Sequence, residues 1–231
     1  MSRLTEEERR RLAMGHTEGM VLNNRMIDDV DLTGAVLRQL DFSWSDFITL
    51  TMDGADLRGT VLTDTRFDHC SLRGADLRNA DLQAANLRYC DLTGVRLEGA
   101  NLYHANLEYA VLDQVTSDET TQFFALQCPA QGAFLGYKKC CDDRLVHLLI
   151  PAAARRTSAT ARSCRCDMAK VLYIENFDGT MRYDEAWSLV DPKFVYRPGQ
   201  WVRALNFNED RWMDSTGGIH FWLTLEEAKA Y

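Results

Sequence analysis

From Arg25 to about Val115 the chain repeats every five residues, and few folds can hold that period. The centre of each repeat is apolar without interruption: Ile27, Leu32, Leu37, Phe42, Phe47, Met52, Leu57, Leu62, Phe67, then leucine at every fifth position from Leu72 to Leu112. Two places earlier runs a mostly small column, including Ala35, Ser45, Ala55, Thr60, Thr65, Cys70, Ala75, Ala80, Ala85, Cys90, Ala100, Ala105 and Ala110. Two places after the centre stand Gly34, Gly54, Gly59, Asn79, Gly74, Gly94 and Gly99, residue types suited to a corner with positive φ. On a helix of 3.6 residues per turn the apolar column would rotate around the axis. On a strand of period two it would change face at each repeat. A short fixed period instead fits a solenoid, in which each unit buries its apolar residue by stacking on its neighbours. The large column fills the interior, and the small column lets backbone pass close inside a narrow coil.

Ala55-Asp56-Leu57-Arg58-Gly59, Ala75-Asp76-Leu77-Arg78-Asn79, Ala80-Asp81-Leu82-Gln83-Ala84 and Ala100-Asn101-Leu102-Tyr103-His104 resemble the A(D/N)LXX units of pentapeptide-repeat proteins. The resemblance implies a right-handed quadrilateral β-helix with four repeats per coil. About four and a half coils would stack at the ~4.8 Å strand spacing. The early repeats depart from the pattern at Val36, Leu40, Ser45 and Leu50, which predicts an irregular first coil. The expected fold is therefore mostly β: a right-handed quadrilateral parallel β-helix followed by a small α+β domain.

Residues 1–24 read as an N-terminal helical cap. Thr5 and Glu8 form a capping box for a short helix over 5–14, and Gly15 ends it. An open solenoid exposes an apolar end, so a lid there serves solubility. Residues 116–125 are a polar connector, with Ser117 standing where the next leucine would fall. Residues 126–231 change grammar. Val146–Ile150, Lys170–Ile174, Phe194–Tyr196, Trp201–Arg203 and Gly218–Leu223 read as strands. Asp178-Gly179 reads as a turn, and Thr224 with Glu227 forms a second capping box for a terminal helix. Cys128-Pro129, Gly132-Ala133-Phe134-Leu135-Gly136-Tyr137, Ile150-Pro151, Arg156–Cys166 and Gly218-Ile219-His220-Phe221 resemble an uncharacterised domain that follows pentapeptide repeats in some bacterial and phage proteins. That resemblance implies an architecture and an intracellular setting, and no activity.

The 231 residues carry a net charge of −8 and a pI near 5.1, so no direct nucleic-acid binding is expected. The apolar runs are too short to span a bilayer, and the N-terminus does not read as a signal peptide. Seven cysteines without a secretory signal point to free thiols in the cytoplasm. No cofactor and no metal are expected: Cys140-Cys141 and Cys164-x-Cys166, with His147 or His220, lack the spacing of structural zinc.

Two sets of residues are candidates for contact. The twenty-residue coil period stacks His69, Tyr89 and Tyr109 on one face, a contact patch or simple ladder packing. In the second domain Lys138, Arg155, Arg156, Ser158, Thr160, Arg162 and Arg165, with His220, form a basic, hydroxyl-rich set in an otherwise acidic chain. Guanidinium forks beside hydroxyls suit a phosphate or nucleotide. The same arginines also suit a grip on the acidic solenoid or on a second subunit.

Three readings of function follow. The first is a non-enzymatic protein-binding scaffold whose second domain holds a partner or an anion. The second is a mimic of DNA directed at a topoisomerase or another DNA-binding protein, as some of the family are. Residues 21–115 hold fifteen acids against eight arginines, but Arg38, Arg58 and Arg78 fall in one ladder beside Asp56 and Asp76. That argues against a continuous acidic face. The third is a small-ligand or nucleotide site, catalytic or not, in the second domain. The expected partner is another protein; a homodimer stays open.

Overall fold

The stacking demanded by the period is visible in the backbone of the computed structural model, which describes residues 1–191 and 193–231. The chain forms two units, Met1–Ala125 and Leu126–Tyr231. In the first, β1 (Ser2–Arg3), β2 (Arg25–Ile27), β3 (Asp46–Ile48) and β4 (Arg66–Asp68) pair in parallel in that order. Single parallel bridges continue the register on the other sides, such as Val36 with Asp56, Asp56 with Asp76 and Asp76 with Arg96. All are twenty residues apart, four repeats, so the coil has four sides.

The hydrogen bonding explains the period. The amide of a central residue donates to the carbonyl nineteen residues on, as in Leu57 to Asp76 and Leu77 to Arg96, both 2.9 Å. The amide before it donates back twenty-one residues, as in Asp76 to Ala55 at 2.9 Å. The central column is buried from Ile27 to Leu107, while Leu112 is half-buried where the stack ends. Phe47 and Phe67 stack at 4.9 Å, nearly parallel. Each buried Leu or Phe contributes about 1.5–3 kcal/mol relative to exposure, which secures the register. The corner column takes positive φ throughout, even at Thr49 (54°) and Tyr89 (60°), so coil closure overrides the local preference of these side chains.

Polar members of the small column have an additional role. Ser45 Oγ donates to the Leu22 carbonyl at 2.8 Å and Thr65 Oγ1 to the Phe42 carbonyl at 3.0 Å, and the Cys70 and Cys90 thiols lie 3.5 Å from the carbonyls of Phe47 and Phe67. Burial pushes these two thiols up to about 11 and about 12, so they act as packing groups.

Stacking runs past Val115. Thr116 bridges Arg96, and Gln122 bridges Asn101 after one extra residue. Thr121 then fills the small column, donating to the Leu97 carbonyl at 3.0 Å. The polar stretch read as a connector thus supplies the last side of the first unit. At the other end α1 (Glu6–Ala13) forms with both bonds of the Thr5–Glu8 capping box. Leu4 and Leu12 are buried, and Arg25 ties the lid down through Glu8 at 2.9 Å. The lid is more than a helix, because β1 adds a strand to the first coil.

The second unit contains β5 (Phe134–Lys139), β6 (Leu145–Ile150), β7 (Arg156–Thr157), β8 (Cys164–Cys166), β9 (Met168–Glu175), β10 (Ala186–Trp187), β11 (Val195–Tyr196), β12 (Trp201–Arg203), β13 (Ile219–Phe221) and α2 (Leu225–Ala230). An antiparallel sheet has the order β12-β9-β6-β5, a second the order β13-β8-β7, and β10 pairs with β11. Tyr137 bridges Trp222, joining β5 to the strand end after β13. The core between them includes Val146, Leu148, Cys164, Val171, Tyr196 and Phe221. Gly136 permits this contact: a Cβ there would meet the Phe221 ring at 2.7 Å. At α2 the capping box is half-formed. Thr224 accepts from the Glu227 amide at 3.2 Å, but the Glu227 carboxylate meets Arg162 at 3.1 Å.

Candidate functional site

On the solenoid, corner residues twenty apart stand directly above one another. His69 and Tyr89 stack with centroids 6.1 Å apart, and Tyr89 and Tyr109 at 4.9 Å with planes 6° apart. Both tyrosines are 52% exposed. Arg88 lies over both tyrosine rings at 5.3 and 5.8 Å and is held by Glu108 at 3.1 Å. The result is an ordered aromatic strip with a cation fixed beside it.

Another side carries the arginine ladder. Arg58 Nε meets Asp56 at 2.9 Å, Arg78 Nη2 meets Asp76 at 2.6 Å, and Arg38 also pairs with Asp56. Hydrogen bonds from Arg58, with Arg38 assisting, hold the Asp56 carboxyl down to about 2.

The basic set of the second unit does not gather around one point. Arg156 sits over the Phe134 ring at 5.2 Å, and its guanidinium donates to the carbonyls of Gly132 and Pro151 at 2.8 Å and Ala152 at 2.9 Å. Arg165 is 1% exposed and donates to the carbonyls of Asn208, Gly217 and Asp210. Arg155 pairs with Asp167 and Glu209, and Arg162 with Glu227. Ser158 and Thr160 are buried, and the Ser158 hydroxyl accepts from the Gln127 amide at 2.8 Å. These groups hold loops of their own domain rather than presenting a fork to an anion. Arg211, outside the basic segment of the sequence, does the same to the carbonyls of Ser158 and Ala159.

Lys138 and His220 do converge. Both line a cavity of about 110 Å³, with Ser163, Asp214, Ser215 and Trp222. Lys138 is 5% exposed, and burial lowers its pKa. Burial, with repulsion from Lys138 and Arg165, pulls the His220 imidazole down to about 4, so it is neutral near pH 7. Its Nε2 is buried without a hydrogen-bond partner, as is Nε of Arg165 on the facing strand position.

A buried pair not foreseen from sequence lies on β6 and β9. His147 Nε2 is 2.7 Å from Glu175 Oε1, Tyr173 stacks on the imidazole at 3.9 Å, and Arg182 binds the other carboxylate oxygen. Desolvation outweighs Glu175 and lowers the His147 pKa. The one sequence signal was a histidine inside the apolar run Val146–Ile150. Cys128 and Cys164 are free thiols that act on one another: Cys164, with Arg156 and Arg211, lowers Cys128, while Cys128 and burial raise Cys164. Among the described residues no three His, Cys, Asp or Glu side chains gather as metal ligands. No helix among the described residues is long and apolar enough to cross a membrane.

Comparison with known proteins divides the chain at the same place. Eight copies of the pentapeptide-repeat model match within residues 27–116, and residues 124–228 match a family of unknown function, DUF5758. No curated protein matches. Among solved structures, the pentapeptide repeat protein Rfr23 from the cyanobacterium Cyanothece 51142 is 34% identical, over 40% of this chain and 63% of that one, with a TM-score of 0.39. The pentapeptide repeat protein alr5209 from Nostoc PCC 7120 is 30% identical, over 52% and 84%, with a TM-score of 0.25. HetL from Nostoc sp. strain PCC 7120, a pentapeptide repeat protein involved in heterocyst differentiation regulation, is 21% identical, over 40% and 61%, with a TM-score of 0.26. The chain thus spans less than two thirds of the length of Rfr23.

Proposed function

We propose that this chain, which belongs to the pentapeptide-repeat proteins and ends in a DUF5758 domain, is a non-enzymatic scaffold that binds another protein. The observation that carries the reading is the Tyr89–Tyr109 stack, half exposed on a rigid coil with Arg88 fixed beside it. Tyrosine and arginine dominate binding hot spots, and side chains ordered before contact lose little freedom on binding. His69 extends the strip by one coil. The pairing of Asp56 and Asp76 with arginines favours this reading over a mimic of DNA, which needs unpaired acids in a continuous row. A phosphate or nucleotide site built on Arg156, Arg162 and Arg165 would need those guanidiniums to share a pocket with His220, and each is engaged elsewhere. The cysteines, all free, support a reducing cytoplasmic setting.

The test places a photo-crosslinking amino acid at Tyr89, Tyr109 or, as a control on another corner, Ala84, in cells of the source organism. The same protein partner should be captured from the two tyrosine positions and not from Ala84. Identical adducts at all three positions, or none at the tyrosines, would overturn the reading.

A further inference from the structure

The cavity beside β5 and β13 gathers charged and polar groups against an apolar wall. Lys138 brings an ammonium into it from a strand position that is 5% exposed. Among the described residues no carboxylate lies within 4.0 Å of its nitrogen, although Asp214 lines the same cavity. The Cys140 and Cys166 thiols, which also act on Lys138, are held by burial at about 12 and are therefore uncharged. A mostly buried lysine held by no ion pair is costly, and proteins retain one where something supplies a close charge or uses the amine. The neighbouring imidazole of His220 has a buried nitrogen without a partner. Ser163 and Ser215 add hydroxyls to the lining, while Leu189, Val190 and Trp222 add an apolar wall.

We propose that this cavity is a binding site for a short monocarboxylate of about two to four carbons, its carboxylate on Lys138 and its carbon chain against Leu189, Val190 and Trp222. Size, charge and polarity each bear on the choice. The volume of about 110 Å³ is well below the roughly 300 Å³ or more of pockets that take drug-sized ligands, which favours a small ligand over a nucleotide. Asp214 already contributes one carboxylate to the lining. With Asp214 already present, a doubly charged phosphate would add two negative charges opposite a single ammonium, whereas a monoanion adds only one. The apolar wall suits carbon and gives nothing to a fourth phosphate oxygen. His220 supplies the remaining polar contact. As a neutral imidazole it can donate to the second carboxylate oxygen from one tautomer, or accept from a 2-hydroxyl group from the other. The proposal is independent of the solenoid face and of any protein partner.

Calorimetric titration of the full chain tests it, with acetate, lactate and butyrate, and with inorganic phosphate at matched ionic strength. At least one of the acids should bind with a Kd of about a millimolar or tighter. Lys138→Met, which keeps the length of the side chain and removes the charge, should weaken that binding roughly tenfold or more, the loss of a charge-assisted hydrogen bond. Equal binding by Lys138→Met, stronger binding of phosphate, or no binding of any acid up to ~50 mM would each overturn the proposal. A second measurement needs no variant. Acid bound to the wild-type chain should slow acylation of Lys138 relative to exposed Lys193 in peptide mass spectra, and an unchanged ratio would refute the site.

Discussion

Replacing Arg165 by alanine separates a structural guanidinium from one that serves a ligand. Arg165 is 1% exposed, and its fork reaches the carbonyls of Asn208 and Gly217 at 3.2 Å and Asp210 at 2.9 Å. Those carbonyls belong to the loop between β12 and β13, so the guanidinium ties that loop to β8. Truncation would leave three acceptors without their donor inside the domain. At about 1–2 kcal/mol for each stranded group the loss is about 3–6 kcal/mol. That is a large part of the 5–15 kcal/mol typical of a whole domain. Urea unfolding followed by tryptophan fluorescence reads the right unit, because Trp187, Trp201, Trp212 and Trp222 lie in it and only Trp44 lies in the solenoid. The midpoint should fall sharply, and the circular dichroism of the solenoid should stay intact until higher urea. Were the guanidinium held in readiness for an anion, truncation would relieve a buried charge. A change within about 0.5 kcal/mol of wild type would therefore refute the reasoning.

Acid should weaken the solenoid through its ladder. The folded pKa of Asp56, about 2 against an ordinary 3.8, means its stabilisation is complete above the unfolded value and is lost as pH falls through the folded one. Asp56→Asn should flatten the dependence of the solenoid's melting temperature on pH between about 4 and 2, measured by circular dichroism; an unchanged slope would refute the assignment. Gly217→Ala would place a Cβ 1.9 Å from the Asn206 carbonyl oxygen, where backbone meets backbone and no side chain can yield. A loss of about 3 kcal/mol or more is expected in tryptophan-detected thermal melts, and wild-type stability would show that the loop closes differently.

The five-residue column, its small companion and the positive-φ corners made the solenoid legible in advance, because each unit meets an equivalent unit one coil away. The stacking of His69, Tyr89 and Tyr109 followed from the same arithmetic of twenty. The last side was not legible in the sequence, because the extra residue before Thr121 breaks the register that makes the rest readable. In the second unit local pattern gave strands but not their neighbours. Arg156 and Arg165 looked like a ligand set because a sequence displays side chains and hides carbonyls. The acceptors that claim them come from loops at 129–132, 151–154 and 208–217, brought near by folding alone. His147 and Glu175 are twenty-eight residues apart and meet only because β6 pairs with β9. Lys138 and His220 share a cavity only because the sheets bring β5 and β13 together. Short-range periodicity determined the scaffold; long-range closure decided which charges were satisfied and which were left facing a cavity.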